Sequence, residues 1–317
     1  MTPESASAPV AGIACLSQLG LIRFSGDDAQ AFLHGQLSCD VNAVQTGHAL
    51  YGSYNTPKGR MLASFLLWRD DAGYVMQLPR ALCEPIRKRL SMYILRSKVK
   101  AADISEDHVI LGIAGGAAAN LLEQLFKPVP AVVLTMTAVA GAQLLRLDAA
   151  RLQIIADRAR GSDLQQKLLA NTHRVSEADW EWTNIQAGIP YITPGTQDQF
   201  VPQMANLDLI DGVSFSKGCY PGQEIVARMH YLGKLKQRMY LADIAGAEIP
   251  HPGDKLYSAD TGEQATGMIV NAAPSPGGGH TTLAVMHISS FQSGDVHLNS
   301  LSGPALRFKP LPYKIPS

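Results

Sequence analysis

The chain has 317 residues, of which 46% are hydrophobic and 17% charged, so it is long enough for two or three globular units with sizeable cores. Its 27 Lys and Arg residues balance 27 Asp and Glu residues, which excludes attraction of nucleic acid or membranes through overall charge and leaves only local patches. The four cysteines form no CxxC pair. A disulfide framework or a zinc site is therefore not predicted, and a reducing cytoplasm is favoured.

The N-terminal stretch MTPESASAPVAG lacks the basic and apolar regions of a signal peptide. Because Ser, Ala and Pro dominate it, we predict a flexible tail over residues 1–12. No apolar run approaches the ~18 residues that a membrane span needs. The nine histidines never fall at metal-ligand spacing, so no metal ion is predicted. Together these features predict a cytoplasmic protein that is not membrane-bound.

The first third of the chain alternates between strand and helix patterns. GLIRFSG predicts a strand, and DDAQAFLHGQLSCDV predicts a helix that Asp27 or Asp28 caps. ALYGSYNTPKGRMLASFLLWRDDAGYVMQLP predicts three strands joined by Thr-Pro-Lys-Gly and Asp-Asp-Ala-Gly turns. RALCEPIRKRLSMYIL predicts a helix, with Pro85 in its first turn because proline is tolerated there.

The middle of the chain mixes strands and helices without a regular rhythm. HVILGIAG and AQLLRLDAARLQIIAD are strand-like, and helical stretches, AAANLLEQLF and GSDLQQKLLAN, follow them. Because the strict alternation of a doubly wound sheet is missing, the predicted class is α+β. After about residue 240, short apolar runs separated by Gly, Pro and Asp turns predict a small antiparallel β-barrel.

One segment, SKGCYPGQEIVARMHY over residues 216–231, places a cysteine outside any apolar run. Pro221 suits the first position of a helix, so Cys219 is predicted at the helix entry, where backbone amides favour a thiolate. Lys217 adds a nearby positive charge. The alternative interpretation is that Cys219 is a small packing residue in a tight turn.

Basic residues continue after this segment. Only Glu224 opposes the cations between positions 217 and 238, which are Lys217, Arg228, Lys234, Lys236 and Arg238. Such a cationic face would hold carboxylates or phosphates, or a nucleic-acid backbone. The alternative is a solvated strand edge that lysines protect. Upstream, Trp180 and Trp182 are candidates for stacking on a planar ligand, with core packing as the alternative.

KGCYPGQEIVARMHYLGKLKQR, preceded by FVPQMANLDLIDGVSF, resembles the signature of the YgfZ-type folate-binding proteins, which are relatives of the glycine-cleavage aminomethyltransferase. GLIRFSGDDAQAFLHGQLSCDV, PKGRM, IQAGIPYI and PLPY extend the resemblance nearly from end to end. The resemblance implies a three-domain cloverleaf ring around a central channel, with two α+β units, one inserted in the other, and a C-terminal antiparallel β-barrel.

With this fold, residues 13–48 and 106–240 are predicted to form a discontinuous α+β domain that carries the signature. Residues 49–105 would form the inserted α+β domain, and residues 241–317 the barrel. The resemblance also implies tetrahydrofolate or a derivative in the channel, iron–sulfur proteins as clients, and an indirect link to tRNA thiolation. Direct RNA binding is not expected.

The site residues are predicted around the signature. The resemblance implies that Cys219 and Lys217 face the folate channel as the reactive pair, while Gly218 and Gly222 allow the chain to turn tightly. We expect the glutamyl tail near Arg228, Lys234 or Lys236. The predicted folate-binding residues are Gln203, Asn206, Tyr220, Gln223, Glu224 and Arg228.

The chain departs from the aminomethyltransferases at their carboxylates. Aligned through Lys58-Gly59, the acidic pair of those enzymes becomes Ala63 and Ser64, and the glutamate of their Leu-Glu-Ala-Gly becomes Gln186. Acid–base help for aminomethyl transfer is therefore missing. The predicted function is a folate-binding accessory factor for the assembly or repair of iron–sulfur enzymes. The alternatives are a folate-dependent one-carbon transferase and an RNA-interacting factor.

Overall fold

The computed structural model describes residues 11–139, 141–233, 235–246 and 248–316. Ten of the twelve residues of the predicted tail, residues 1–10, lie outside this range. The last two belong to the folded part, because Ala11 is buried and Gly12 begins the first strand. Within the described residues, no helix is both long and apolar enough to cross a bilayer.

The described residues form both helices and strands. The helices are α1 (Ala29–His34), α2 (Arg80–Ser91), α3 (Ala118–Leu125), α4 (Arg158–Leu169), α5 (Glu177–Gln186), α6 (Gln223–Tyr231) and α7 (Ile288–Ser293). The strands of the first two sheets are β1 (Gly12–Cys15), β2 (Leu19–Ser25), β3 (Ala49–Asn55), β4 (Met61–Asp70), β5 (Gly73–Pro79), β6 (Lys100–Asp103), β7 (His108–Ala114), β8 (Met136–Val139), β9 (Ala142–Arg146), β10 (Arg151–Asp157) and β11 (His173–Arg174). The strands of the third sheet are β12 (Gln237–Ile244), β13 (Lys255–Tyr257), β14 (Gly267–Pro274), β15 (His280–His287), β16 (His297–Leu298) and β17 (Leu306–Lys309).

Three sheets organise these strands. The first has the order β11-β1-β7-β10-β9-β8, in which only the β1–β11 pair is parallel. The second has the order β3-β4-β5-β2-β6 and is antiparallel. The mixture of such sheets with packed helices confirms the predicted α+β class. The predicted domain boundaries stay a prediction, although hydrogen bonds place β2 (residues 19–25) in the second sheet, with strands of the segment assigned to the inserted unit.

The third sheet is antiparallel, with the order β16-β13-β14-β15-β12-β17. Its two outer strands meet, because a bridge joins His297 to Ala305 and the Leu306 amide donates to the Val296 carbonyl over 2.8 Å. The sheet therefore curls on itself, as the predicted C-terminal barrel requires. This closure leaves few unpaired edge groups exposed to other chains.

Two local predictions are wrong. Asp28 precedes α1, but its carboxylate accepts the Lys98 amide over 2.7 Å and makes no cap bond to the helix. The side chain thus ties α1 to the chain that enters β6. Pro85 is the sixth residue of α2 and not in its first turn. The helix tolerates it because α2 buries Leu82, Cys83, Ile86 and Leu90 against the second sheet, which outweighs a single lost backbone bond.

A histidine at the barrel closure provides a test of pH dependence. His297 Nδ1 lies 2.8 Å from the Gly303 carbonyl, and Nε2 lies 2.7 Å from Asp295 Oδ1. First the carbonyl and then the carboxylate raise the pKa of His297, because both ring nitrogens donate only in the imidazolium. Since the folded-state pKa is above the unfolded value, this stabilisation is complete below about pH 6.5 and is lost as the pH rises through the folded-state value.

We therefore expect His297→Gln to lower the free energy of unfolding more at about pH 5.5 than at about pH 8.5, by up to ~1 kcal/mol because the site is partly exposed. Urea unfolding of both proteins at the two pH values measures this difference. An equal effect at both values would show that the imidazolium does not form.

Candidate functional site

The signature segment forms a loop followed by a helix. Helix α6 begins at Gln223, after Gly222, so Pro221 lies outside it and the prediction of a helical Pro221 is wrong. Cys219 lies four residues before the helix, exposed and without a disulfide. The thiol is thus presented to solvent and not packed in the core.

Lys217 has a different environment from its neighbour Cys219. Its side chain is buried, and Nζ donates to the carbonyls of His34, Leu37 (2.6 Å) and Cys39 (3.0 Å). Burial lowers the pKa of Lys217 to about 8, and the Tyr220 ring lies 5.1 Å from Nζ. Because three carbonyls at the end of α1 hold the ammonium, Lys217 fastens the signature loop to the N-terminal part of the chain.

The two glycines of the signature are not equivalent. Gly222 has φ +80°, and a Cβ there would lie 2.5 Å from Gly59 Cα and from the Thr56 carbonyl oxygen. The loop therefore packs directly on the β3–β4 turn, which only glycine allows. Gly218 has no positive φ, and a Cβ there would come no closer than 3.8 Å to His34 Nε2. The geometry therefore requires glycine at Gly222, whereas Gly218 leaves room for a side chain. That both glycines allow the chain to turn tightly stays a prediction.

Two of the predicted folate-binding residues, Gln203 and Asn206, form hydrogen bonds inside the protein. Gln203 Nε2 donates to the Val226 carbonyl over 2.7 Å, and Asn206 Nδ2 donates to the Met239 carbonyl over 2.8 Å. Both side chains are almost completely inaccessible, with 2% and 0% exposure. These bonds tie residues 203–206 to α6 and β12, so a folate contact with either side chain would require residues 203–206 to move away from α6 and β12.

The remaining predicted residues divide between interior and surface. Tyr220 is buried, and Gln223 Nε2 donates to the Lys217 carbonyl over 3.3 Å. Glu224 and Arg228 are exposed on α6. The folate-binding role of all six residues stays a prediction.

The cationic face is smaller than the sequence suggested. Arg238 is buried and forms an ion pair with Asp208 over 2.7 Å, so it does not belong to an exposed basic surface. Lys217 is buried as well. Arg228 and Lys236 remain exposed, and Lys234 lies outside the described residues.

Cavities that bind small organic ligands measure about 300–1,000 Å³, and one of about 780 Å³ lies against α5. We call it the α5 cavity. It is lined mainly by apolar groups, and its aromatic rings belong to Tyr51 of β3 and Trp182 of α5. Gln186, Ile189 and Ile210 also line it. The alternative of core packing holds for Trp180, which is fully buried, but Trp182 is only half-buried and faces the cavity.

Asp148 and Arg151 line the α5 cavity and belong to a polar cluster that continues into the interior at Asn184. Arg151 donates to Asp148 Oδ2 over 2.7 Å and to Asn184 Oδ1. Asn184 is 1% exposed, and its Nδ2 donates to no described residue. Sequence reasoning missed this cluster, because a lone Arg on a strand and a lone Asn on a helix carry no motif.

The positions of the missing carboxylates are Ala63, Ser64 and Gln186. Ala63 is buried, and Ser64 Oγ donates to the Pro190 carbonyl over 2.8 Å and accepts from the Ile192 amide over 3.0 Å. Gln186 lines the cavity itself. The proton-transfer groups expected of an aminomethyltransferase are thus replaced by a methyl, a bonded hydroxyl and an amide.

No three His, Cys, Asp or Glu side chains among the described residues come together as a metal site. Two of the cysteines, Cys39 and Cys83, are buried, and burial raises the pKa of each thiol to about 12. They are therefore packing residues.

Known proteins resemble this chain in sequence and in fold. Residues 6–151 match the GCVT N-terminal domain family. The tRNA-modifying protein YgfZ of Colwellia psychrerythraea is 33% identical over 82% of this chain and 80% of its own length. The chain belongs to the YgfZ family. The YgfZ protein of Escherichia coli (strain SMS-3-5) is 30% identical over 95% of this chain and 92% of its own.

A solved structure defines the fold of this YgfZ family member. The glycine cleavage system aminomethyltransferase T from Bartonella henselae superposes with a TM-score of 0.77, over 96% of this chain and 86% of its own, at 16% identity. At that identity the likeness shows the fold alone. The predicted aminomethyltransferase-type fold is confirmed.

Proposed function

We propose that this YgfZ family member binds tetrahydrofolate or a derivative in the α5 cavity and serves as an accessory factor for the assembly or repair of iron–sulfur enzymes. The observation that carries the proposal is the α5 cavity itself, with its apolar walls and two aromatic rings, in a chain of this family. The relatives are named tRNA-modifying proteins, which supports a role in tRNA modification. This role would be indirect, through client enzymes in the cytoplasm.

The residues of the cavity fit a reduced folate. A pterin is a flat ring system with hydrogen-bonding edges, and it gains from stacking on rings such as Trp182 and Tyr51. Gln186 also lines the cavity, and its amide can both donate to and accept from those edges. When bound, the folate would supply one-carbon or redox chemistry, and the chain's own residues would position it.

The exposed Cys219 supports the accessory role. An iron–sulfur cluster normally takes four cysteine ligands, whereas Cys39 and Cys83 are buried and the exposed Cys15 lies in a separate element, β1. Cys219 would therefore act only transiently, with a partner protein supplying the other ligands. The one-carbon transferase is disfavoured because Ala63, Ser64 and Gln186 stand where the resemblance places the carboxylates of the aminomethyltransferases.

Anaerobic calorimetric titration with tetrahydrofolate tests the folate site. We expect wild type and Cys219→Ala to bind equally, because Cys219 does not line the cavity. Trp182→Ala should weaken binding about tenfold or more through the lost stacking area, since tenfold corresponds to about 1.4 kcal/mol. The control is Tyr231→Ala, because Tyr231 is exposed. Trp180→Phe would not serve, because Trp180 is a core residue.

Equal binding by Trp182→Ala and wild type would contradict the α5 cavity as the site, and no binding by wild type would contradict the folate proposal as a whole. The accessory role has its own readout. In cells that lack this protein, tRNA thiolation should be restored by the wild-type chain and not by Cys219→Ala, and full rescue by that variant would refute the role of the thiol.

A further inference from the structure

A second cleft lies on the other side of α5. Its volume is about 770 Å³, and it is bounded by the β1–β2 connection, the start of α2, α5 and β14. Its lining is mainly apolar, and the residues that provide it include Leu19, Pro79, Pro194, Pro252, Ala272 and Pro274. We call it the Glu181 cleft, after the carboxylate that also lines it.

The charged groups of the cleft differ in whether they are already engaged. Glu177 accepts the backbone amide of Ser17 over 2.5 Å and its hydroxyl over 2.6 Å. Arg80 pairs with Asp103 over 3.2 Å and with Glu106 over 2.5 Å. Glu181 forms no ion pair with any residue in the described part of the chain. A carboxylate without an ion pair in an apolar cleft is costly unless a ligand or water satisfies it.

The side of Glu181 that faces the protein is also polar. The Asn184 amide lies close enough to lower the pKa of Glu181 somewhat, yet Nδ2 completes no hydrogen bond with a described residue. Asn271, which also lines the cleft, is already engaged, because its amide exchanges two 2.9 Å bonds with the backbone of Tyr191. Glu181 is thus the charged group of this cleft that is left to recognise a ligand.

We propose that the Glu181 cleft is a second ligand site, which takes a flat apolar molecule with an edge of two adjacent N–H donors, such as an amidine or a 2-aminopyrimidinone. Two parallel donors match the two oxygens of a carboxylate, which makes such pairs short and strong. The apolar walls then bury the body of the ligand. This proposal does not depend on the folate site in the α5 cavity.

The protonation of Glu181 predicts how the ligand affinity of this cleft depends on pH. Desolvation raises the pKa of Glu181 to about 7, so a cationic ligand that pairs with the carboxylate should bind about tenfold more tightly at about pH 8 than at about pH 6. The other ionisable groups that face Glu181 or the cleft are Glu177, Tyr191, Tyr51, Arg151 and Arg80. The two tyrosines stay neutral because burial raises the pKa of each, and the arginines stay charged, so Glu181 dominates the pH dependence.

Calorimetric titration with benzamidine and its neutral isostere benzamide tests the site. We expect wild type to bind benzamidine at least tenfold more tightly than benzamide, and Glu181→Gln to lose this preference. Glu123→Gln, on the exposed face of α3, is the matched control and should keep it. Ala178→Trp, which fills the mouth of the cleft from an exposed position, should abolish binding of both probes even if Glu181→Gln folds poorly.

Equal affinity for the two probes, a preference that survives Glu181→Gln, or binding that survives Ala178→Trp would each overturn the proposal. Failure of wild type to bind benzamidine would overturn it as well. Competition with tetrahydrofolate then identifies the source of the two-donor edge. Displacement of benzamidine would place the pterin edge in the Glu181 cleft, whereas simultaneous binding would assign the cleft to a separate amidine-like ligand and leave the α5 cavity to folate.

Discussion

Gly222→Ala is expected to lower the free energy of unfolding by about 3 kcal/mol or more. The added methyl would lie 2.5 Å from two backbone atoms of the β3–β4 turn, Gly59 Cα and the Thr56 carbonyl oxygen. Backbone atoms cannot move aside as a side chain can, and the positive φ adds roughly 1 kcal/mol of strain for any L-residue. Urea unfolding followed by circular dichroism measures the loss.

Gly218→Ala is the matched control within the same signature. Its φ is not positive, and the nearest atom to the new methyl would be 3.8 Å away. We expect an unchanged or slightly increased stability, because alanine restricts the unfolded chain more than glycine, by up to ~1 kcal/mol. Similar losses for the two variants would contradict the packing of Gly222 on the turn.

Lys217→Met is the second substitution with a large expected effect. It keeps most of the side-chain volume but leaves the carbonyls of His34, Leu37 and Cys39 without their common donor. Unpaired buried acceptors cost about 1–3 kcal/mol each, partly offset because an ammonium no longer has to be buried. A net loss of about 2–4 kcal/mol follows, which thermal or urea unfolding would show.

Lys58→Met on the exposed β3–β4 turn is the control and should change stability by less than about 0.5 kcal/mol. If Lys217 is catalytic, as the sequence predicts, Lys217→Met should lose activity while its stability stays unchanged. A stable Lys217→Met protein would therefore favour catalysis over the structural role that the contacts support.

The sequence predicted most of the strands and the class of the fold because hydrophobic periodicity is a local signal. The hairpins around residues 49–79, the barrel after residue 240 and the start of α6 near Gln223 could all be predicted in this way. The sheet to which β2 belongs could not be predicted in this way. Its partner strands β5 and β6 lie far from β2 in the sequence, and tertiary packing selects them. Asp28 was misjudged for the same reason, since its partner is Lys98.

The candidate site was harder to predict than the fold. Lys217 is two residues from Cys219, and proximity in sequence suggested that its charge acts on the thiol. In the structure its partners are carbonyls about 180 residues away in the chain, and no local pattern encodes such a contact. The α5 cavity likewise draws Tyr51, Trp182 and Ile210 from separate elements, so only Trp182 was a candidate from the sequence.

The β3–β4 hairpin connects two parts of the molecule that the chain keeps far apart. Near one end, Tyr51 forms part of the wall of the α5 cavity, and at the other end the turn at Gly59 lies against Gly222, beneath the loop that carries Cys219. The two strands between these ends pair with each other from Ala49 to Asn55. We therefore expect a ligand that fills the cavity against Tyr51 to change the environment of the Cys219 thiol. The rate at which a small alkylating reagent modifies Cys219 would then report whether the cavity is filled.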